Sequence, residues 1–174
     1  MTSLELLERS FIDPLTGAAA TRGFEQRCLE ELDRTLRLRL RLTVLAVHAD
    51  APNRAGVAGV TAPDPLVRAL GVFLLASIRG TDILGRRPGG GFAIVLAETG
   101  MSGAITLAER LHKAVGRIVT RQGDKTVPLT VTIGAAALAE DAGEPENLEP
   151  LIRRAEMLVS EARRVGGNRI VIEK

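Results

Sequence analysis

A β-hairpin enclosed by two helical segments is the feature that most limits the folds open to this chain. Two short apolar runs, at residues 82–87 and 92–96, are joined by the sequence PGGG at residues 88–91, which is typical of a hairpin turn. Apolar residues recur at helical spacing before the hairpin, from residue 64 to 80, and after it, from residue 102 to 118. This order predicts an α+β fold in which a mixed, mainly antiparallel sheet carries helices packed on it.

The segments on either side of this centre predict the remaining elements. Asp13-Pro14 predicts a helix start, because a capping carboxylate is followed by Pro at the first helical position. The residues expected to face inward from this helix are Phe24, Cys28, Leu29, Leu32 and Leu36. Three further strands are predicted at residues 42–47, 129–133 and 170–172, with a loop or weak helix at 50–63 and a polar turn at 122–125. The last helix is predicted to begin at Pro150. Its residues expected to face inward are Leu151, Ala155, Leu158, Ala162 and Val165.

The composition limits the partners of the chain. Its 174 residues, 45% hydrophobic and 25% charged, are enough for one domain with a real core. There is no Trp or Tyr and there are four Phe, so the aromatic platforms on which single-stranded nucleic acid stacks are nearly absent. The net charge is +2, and the basic cluster Arg34, Arg37, Arg39 and Arg41 is interpreted as a solvated helix end. We therefore expect no nucleic-acid partner.

The terminal segment and the single cysteine suggest a cytoplasmic protein. Residues 1–10 are acidic and amphipathic, unlike a signal peptide, and the longest apolar run, at 66–78, is too short to span a bilayer. No membrane insertion is expected. Cys28 excludes an internal disulfide and is predicted to be a buried thiol. Residues 1–12 are predicted to form an N-terminal helical linker, and residues 13–174 the domain.

Several short segments together resemble the GGDEF domain family. Residues 13–17, DPLTG, resemble its DxLTG opening, and residues 86–92, RRPGGGF, fit its RxGGDEF hairpin. Residues 130–134, TVTIG, fit its TxSIG strand, and residues 154–156 and 166–169 fit its RAD and GRNR segments. The set covers residues 13–172 in the order that the family has.

This resemblance implies a palm-like GGDEF fold, with a central five-stranded sheet flanked by helices. Active members of the family condense two GTP molecules into cyclic di-GMP as a dimer of facing half-sites. The reaction is a phosphoryl transfer, which needs a divalent metal held by carboxylates and a means of activating the attacking 3′-hydroxyl. Because Mg²⁺ prefers hard oxygen ligands, the acidic residues of the family motifs decide whether the reaction is available.

Those acidic residues are missing here. His48 stands where the first strand of active relatives carries a metal carboxylate, and Gly90 and Gly91 stand where the signature hairpin carries its acids. Asp64 survives at a guanine-contacting position and is expected to act as a helix N-cap. The degenerate active-site positions are His48, Gly56, Asp64, Pro88, Gly89, Gly90, Gly91, Phe92 and Arg163, with further departures at Pro52, Asn53, Val57 and Gly167. We expect no metal site, no required cofactor and no enzyme activity.

The residues of the family's inhibitory site are present. Its RxxD pattern stands five residues before the signature hairpin, and Arg79 and Asp82 occupy it here. The resemblance adds Arg110 on the next helix and Arg86 at the hairpin. A carboxylate accepts hydrogen bonds from the N1–H and N2–H edge of guanine, and Arg presents a planar fork to its O6 and N7 or to phosphate. The expected function is a catalytically inactive receptor for cyclic di-GMP, as a homodimer or with a signalling partner protein.

Three alternatives remain open. Arg79 and Asp82 could form a surface ion pair of little energetic consequence, with Arg110 a solvated helix residue. The chain could be a ligand-free dimerisation or protein-interaction domain. It could also be a weak diguanylate cyclase or a GTP-binding pseudo-enzyme, for which Asp64 and Arg163 are the support.

Overall fold

The computed structural model describes residues 2, 11–50, 62–141 and 143–174, without the side chain of Gln122. Four helices and seven strands are defined in these parts of the chain. They are α1 (Thr21–Leu38), β1 (Leu42–Ala49), α2 (Asp64–Ser77), β2 (Ile83–Arg86), β3 (Gly91–Ala97), α3 (Met101–Val115), β4 (Val119–Gln122), β5 (Lys125–Pro128), β6 (Val131–Ala137), α4 (Glu149–Arg164) and β7 (Ile170–Ile172).

Five of these strands form one mixed sheet. Its order is β2-β3-β1-β6-β7, and β4 and β5 pair separately as a two-stranded sheet. The pairs β2–β3, β3–β1 and β1–β6 are antiparallel, whereas β6 and β7 are parallel. The predicted α+β class and the mainly antiparallel five-stranded sheet are therefore confirmed.

The central strand β1 is covered on both faces, which accounts for its nearly unbroken apolar sequence. Leu45 and Val47 belong to a core that residues of α2 and α3 complete. Val44 and Ala46 belong to a second core that residues of α1 and α4 complete. Alternate residues of a strand point to opposite faces, so one apolar strand serves both cores.

The first helix begins later than the sequence predicts. The Asp13 carboxylate accepts hydrogen bonds from the backbone N–H (3.0 Å) and the hydroxyl (2.5 Å) of Thr16, which stabilises a turn instead of a helix. Gly17 follows with φ +76°, in the left-handed region that interrupts a right-handed helix. The helix therefore begins at Thr21. Leu29, predicted to face inward, is 51% exposed, so that prediction is wrong.

The second helix begins at the predicted Asp-Pro pair, but its first carboxylate does not cap it. Pro63 occupies the N-cap position, Asp64 is the first helical residue, and no side chain caps this end. The predicted N-cap role of Asp64 is therefore wrong, although an exposed carboxylate in the first turn is favourable for the helix dipole.

The sequence pattern did not reveal the hairpin of β4 and β5, which flanks the predicted polar turn. Val119 is 59% exposed and most of β5 is exposed, so these strands have no buried stripe from which to predict them. Val165, predicted to face inward from the last helix, is 66% exposed because α4 ends at Arg164.

Two further predictions lie wholly or mostly outside the described residues: the N-terminal helix at 3–11 and the loop at 50–63. Across the helices that the structure does describe, none has the length and apolar character that a membrane crossing requires.

Candidate ligand-binding site

The turn between α2 and β2 brings Arg79 and Asp82 together. The backbone N–H of Asp82 donates to the Arg79 carbonyl (3.0 Å), and the Asp82 carboxylate accepts a hydrogen bond from the Arg79 backbone N–H (3.0 Å). The Arg79 guanidinium extends this contact, with Nε 3.4 Å from Oδ2 and Nη2 3.3 Å from Oδ1. The Arg-x-x-Asp spacing thus forms a closed turn in which main chain and side chain both hold the carboxylate.

The guanidinium of Arg79 lies over the carboxylate of Asp82. The Arg79 side chain is 62% exposed, whereas that of Asp82 is 1% exposed. Nη2 of Arg79 also donates to the Ala97 carbonyl (3.2 Å) and to the Thr99 hydroxyl (2.7 Å). A guanine edge therefore gains access to the Asp82 oxygens when the Arg79 side chain leaves this position.

Arg110 lines the same cleft from α3. The cleft has a volume of about 410 Å³, and Arg79, Asp82 and Thr99 are also among its lining residues. Nη2 of Arg110 donates to the Ser77 carbonyl at the end of α2 (2.9 Å). Two guanidinium groups and the positive N-terminal end of α3 therefore lie around Asp82, and the second carboxylate of the cleft, that of Glu98, is paired with Arg34. This arrangement favours an anionic ligand that also carries hydrogen-bond donors.

Arg86 is not part of this cleft. It lies at the far end of β2, where its guanidinium carbon is 5.3 Å from the Phe92 ring centroid and its Nη1 donates to the Gly91 carbonyl (3.2 Å). Its Nε is 3.9 Å from Oδ2 of Asp13. The structure therefore brings together three of the four predicted ligand residues, and it separates Arg86 from them because the length of β2 lies between.

The hairpin turn presents backbone atoms in place of carboxylates. Pro88–Gly90 form a single 3₁₀ turn, which the Arg87 N–H closes by donating to the Gly91 carbonyl (2.9 Å). Gly89 and Gly90 have φ values of +80° and +92°, a region that glycine adopts without strain. A Cβ at Gly89 would meet nothing within 4 Å. Backbone conformation, and not packing, therefore shapes the tip of the turn.

His48 faces this turn from β1, where it pairs in register with Gly91. Its Nδ1 lies 2.9 Å from the Ala49 carbonyl, and its Nε2 lies 3.0 Å from the Gly89 carbonyl and 3.4 Å from Nη1 of Arg163. Burial lowers the pKa of His48 below its ordinary value, and the positive charge of Arg163 lowers it further. Burial and the charge of Arg163 thus both favour the neutral form of the imidazole.

These groups do not fit the divalent metal that a cyclase reaction requires. Mg²⁺ favours hard oxygen ligands, whereas the positions that would supply them hold a neutral imidazole and glycines, with the cationic Arg163 beside them. Within residues 11–50, 62–141 and 143–174, no three His, Cys, Asp or Glu residues lie together as a metal site would need.

A cluster of ion pairs ties the hairpin to α4 and was not foreseen from the sequence. Nη2 and Nε of Arg87 each lie 2.7 Å from a carboxylate oxygen, of Glu149 and Glu156 respectively, and the Arg87 side chain is 11% exposed. Burial opposes the charged form of Arg87, but the hydrogen bonds that it donates to Glu156 and Glu149 outweigh burial and raise the pKa of Arg87 above its ordinary value. Arg87 occupies the position of the hairpin motif at which any residue is allowed, so the motif gave no reason to single it out. The only signal in the sequence is that Arg87 and Glu156 carry opposite charges.

Asp50 is a second residue that the sequence analysis missed. It is 7% exposed, and its carboxylate accepts hydrogen bonds from the hydroxyls of Thr130 (3.1 Å) and Thr132 (2.8 Å) and from the Asn168 backbone N–H (3.0 Å). A Cβ at Gly167 would lie 2.7 Å from Asp50 Oδ1, and Gly167 has φ +66°. The carboxylate nearest to His48 in sequence therefore holds β1, β6 and the segment before β7 together.

The remaining predicted positions divide by their surroundings. Phe92 is 1% exposed in the core, and Asp64 is exposed at the start of α2. Gly56 and its neighbours Pro52, Asn53 and Val57 lie outside the described residues.

Comparison with known proteins places this geometry in a family. The family model described as "Diguanylate cyclase, GGDEF domain" matches residues 10–169. The response regulator PleD of Caulobacter vibrioides is 28% identical over 110 residues, which are 62% of this chain and 24% of PleD. The probable diguanylate cyclase DgcC of Escherichia coli is 25% identical over 158 residues, which are 90% of this chain and 42% of DgcC. The chain thus spans less than half the length of these curated relatives.

Solved structures share the fold at lower identity. The diguanylate cyclase SiaD of Pseudomonas aeruginosa, solved in complex with its activator SiaC, has a TM-score of 0.80 at 24% identity, covering 98% of this chain and 64% of SiaD. The coiled coil and GGDEF domain of DgcB from Caulobacter crescentus, solved in complex with c-di-GMP, has a TM-score of 0.78 at 18% identity, covering 98% of this chain and 90% of that one.

Proposed function

The chain belongs to the GGDEF domain family, and we propose that it is a catalytically inactive member that binds cyclic di-GMP through Arg79, Asp82 and Arg110. The observation that carries the proposal is the cleft itself. One turn presents a guanidinium fork beside a carboxylate, and a second guanidinium lies on the same cleft. DgcB, which shares this fold, was solved in complex with c-di-GMP, and that ligand has the chemistry that the cleft would take.

The chemistry of guanine fits these groups. The Asp82 carboxylate can accept hydrogen bonds from the N1–H and N2–H groups of a guanine, once Arg79 has moved aside. Arg79 can then donate its planar fork to guanine O6 and N7 or to a phosphate oxygen, and Arg110 can neutralise a phosphate. Asp82 reads the base and the two arginines hold the anionic backbone, so the three side chains have complementary tasks.

The residues at the other end of β2, beside the hairpin turn, support the proposed loss of catalysis. A phosphoryl transfer between nucleotides needs anionic metal ligands beside the reacting phosphate. His48 and Gly91 face each other at the two strand ends where those ligands would stand. Arg163 supplies positive charge there but no metal ligand.

Isothermal titration calorimetry with cyclic di-GMP tests the binding proposal. We expect the wild type to bind and Arg79→Ala to bind about tenfold to a hundredfold more weakly, because a bidentate Arg–guanine contact contributes about 1–3 kcal/mol. Arg121→Ala is the matched control, since Arg121 is exposed on β4 away from this cleft, and it should bind like the wild type.

Two results would overturn the receptor assignment. One is the absence of binding heat from the wild type at ligand concentrations up to the millimolar range. The other is equal affinity in the wild type and in Arg79→Ala.

Incubation with GTP and Mg²⁺, followed by chromatography, tests the loss of catalysis separately. We expect no cyclic di-GMP above the level of a sample without protein. Steady product formation would refute the inactive assignment even if the ligand also binds at Arg79.

We further propose that ligand binding acts through contacts between copies of the chain or with a signalling partner. Val72 and Leu75 on α2 are 58% and 42% exposed, and Ile12 is 55% exposed, so apolar side chains are available at the surface near the Arg79 turn. Sedimentation analysis should show a larger mass with cyclic di-GMP than without it. If the mass is unchanged while ligand binds, ligand bridging between copies is excluded.

A further inference from the structure

Thr99 is fixed to the sheet on every polar side. Its hydroxyl donates to the Ala97 carbonyl (2.8 Å), its backbone N–H donates to the Arg41 carbonyl (3.1 Å), and its carbonyl accepts a hydrogen bond from the Thr43 hydroxyl (2.8 Å). Glu98, directly before it, has φ +51°, so the chain turns sharply at this point. The threonine is thus a rigid part of the wall of the cleft and not of a loose loop.

The hydroxyl of Thr99 also accepts the shortest hydrogen bond of the Arg79 guanidinium. The distance from Nη2 is 2.7 Å, against 3.2 Å to the Ala97 carbonyl and 3.3 Å to Oδ1 of Asp82. The two hydrogens of one nitrogen, in an otherwise exposed side chain, are therefore shared among three protein acceptors. Because two of them belong to the end of β3 and its continuation, the sheet itself holds the guanidinium in place over the carboxylate.

A guanine edge that approaches Asp82 through this cleft would enter the position that the Arg79 guanidinium occupies. The Asp82 side chain is 1% exposed while Arg79 lies over it. Opening the carboxylate to a ligand requires Nη2 to leave all three acceptors. When the competent state is only a fraction of the population, the apparent dissociation constant rises in inverse proportion to that fraction.

We infer that Thr99 is a positioning residue that keeps Arg79 closed over Asp82 and thereby sets the cyclic di-GMP concentration at which the site fills. This inference rests on the proposed receptor function. It assigns regulation of affinity to a residue outside the Arg-x-x-Asp pattern, through its hydrogen bond with the Arg79 guanidinium.

The test compares three proteins: wild type, Thr99→Val, which removes the hydroxyl at nearly constant shape, and Thr99→Ser, which keeps it. The first measurement needs no ligand: the ¹H–¹⁵N heteronuclear NOE of the Arg79 Nε–H group. We expect a lower NOE in Thr99→Val, because its guanidinium has lost its shortest contact, and an NOE in Thr99→Ser that resembles the wild type. Thermal unfolding confirms that each variant is folded, and Thr99→Ala provides a second hydroxyl deletion if the valine variant is not.

The second measurement is the affinity for cyclic di-GMP by calorimetry. We expect Thr99→Val to bind about two- to tenfold more tightly than the wild type, the range for loss of one hydrogen bond that stabilises the closed state. Thr99→Ser should keep the wild-type affinity. Tighter binding together with a more mobile Arg79 supports the inference.

The failures are distinguishable from one another. If the wild type binds and Thr99→Val binds equally or more weakly, Thr99 does not control access and this inference falls while the receptor function stands. An unchanged Arg79 NOE in Thr99→Val has the same meaning. If no protein binds, the receptor function falls, and the inference falls with it.

Discussion

Two tight turns bracket strand β2, and side chains contribute to them differently. The turn before it has a backbone hydrogen bond from Asp82 to Arg79, and the Asp82 carboxylate adds hydrogen bonds from the backbone N–H and the guanidinium of Arg79. The turn after it is closed by a backbone hydrogen bond from Arg87 to Gly91, and its tip is glycine at positive φ. In the first turn, the side chains that could bind a ligand also stabilise the fold. In the second turn, carboxylate side chains are absent from the glycine tip, and the turn forms without them.

This difference couples the candidate ligand-binding groups of the first turn to folding. Removing Asp82 would leave a buried donor without its acceptor, which costs stability whether or not a ligand binds. At the hairpin, glycine stands at both positions where the family carries acids: Gly90 is buried, and a Cβ at Gly91 would lie 3.3 Å from Cδ2 of His48. In the first turn, ligand chemistry that is coupled to folding is therefore protected by stability. In the second turn, a side chain at Gly91 would crowd His48.

The largest expected effect tests that coupling directly. Asp82→Ala should lower the free energy of unfolding by about 2–4 kcal/mol, because it deprives the Arg79 backbone N–H and guanidinium of a buried carboxylate. Urea denaturation measures the change, and Asp124→Ala at the exposed turn of β4 and β5 should stay within about 0.5 kcal/mol. If the two variants are equally stable, the first turn is not held by its side chains.

The next effect concerns how the second turn is attached to the rest of the fold. Arg87→Ala should cost about 1–3 kcal/mol, since it leaves Glu149 and Glu156 without their partly buried partner. Arg153→Ala removes an exposed partner of Glu149 and should cost less than about 1 kcal/mol in the same denaturation experiment. Equal costs would mean that burial adds nothing to the attachment of the hairpin.

A smaller effect compares a glycine from each turn. Gly89→Ala should cost about 1 kcal/mol, because Gly89 has φ +80°, although the added methyl group meets no atom. Gly80→Ala is the control from the turn of Arg79: its φ is not positive and a Cβ there is equally unobstructed. That variant should be neutral or slightly more stable in thermal unfolding. A neutral Gly89→Ala would contradict the view that backbone conformation shapes the hairpin tip.

The smallest effect is a pH dependence at the hairpin. The folded-state pKa of His48 lies below its unfolded value because of burial and the charge of Arg163, so the unfolded chain binds more protons as the pH falls through about 6.5. The stability that His48 contributes is therefore present above that pH and lost below it. His48→Gln should flatten the fall in unfolding free energy on the acid side. If the unfolding free energy of His48→Gln falls as steeply with decreasing pH as that of the wild type, His48 does not contribute to the pH dependence.

The core and the sheet could be predicted from the sequence because their periodicity is strong. β1 is apolar along its buried length except at Thr43, and α2 and α4 carry apolar stripes that the cores bury. The α1 start could not be predicted in this way, because Asp-Pro opens a turn as readily as a helix and only Gly17, at φ +76°, decides between them. β4 and β5 were not predicted, because the mostly exposed strands of a two-stranded sheet have no alternation of buried and exposed residues in the sequence.

The site was predictable to the extent that it is local. Arg79 and Asp82 lie three residues apart on one turn, so their spacing alone places them in contact. Arg87 pairs with residues on α4 and Asp50 with residues on β6, and these contacts exist only after the sheet has formed. The role of Thr99 depends on a distance between the end of β3 and the end of α2, which no local pattern contains.

The one cysteine of the chain gives the protein a built-in reporter. Cys28 lies on the buried face of α1, beside the cleft that Arg87 also lines, and burial raises the pKa of its thiol to about 12. A thiol in that state reacts with an alkylating reagent only during moments when the α1 face separates from the sheet. The rate at which a reagent labels Cys28 in the wild-type protein therefore measures how often α1 separates from the sheet. A variant with a loosened hairpin should be alkylated faster at Cys28.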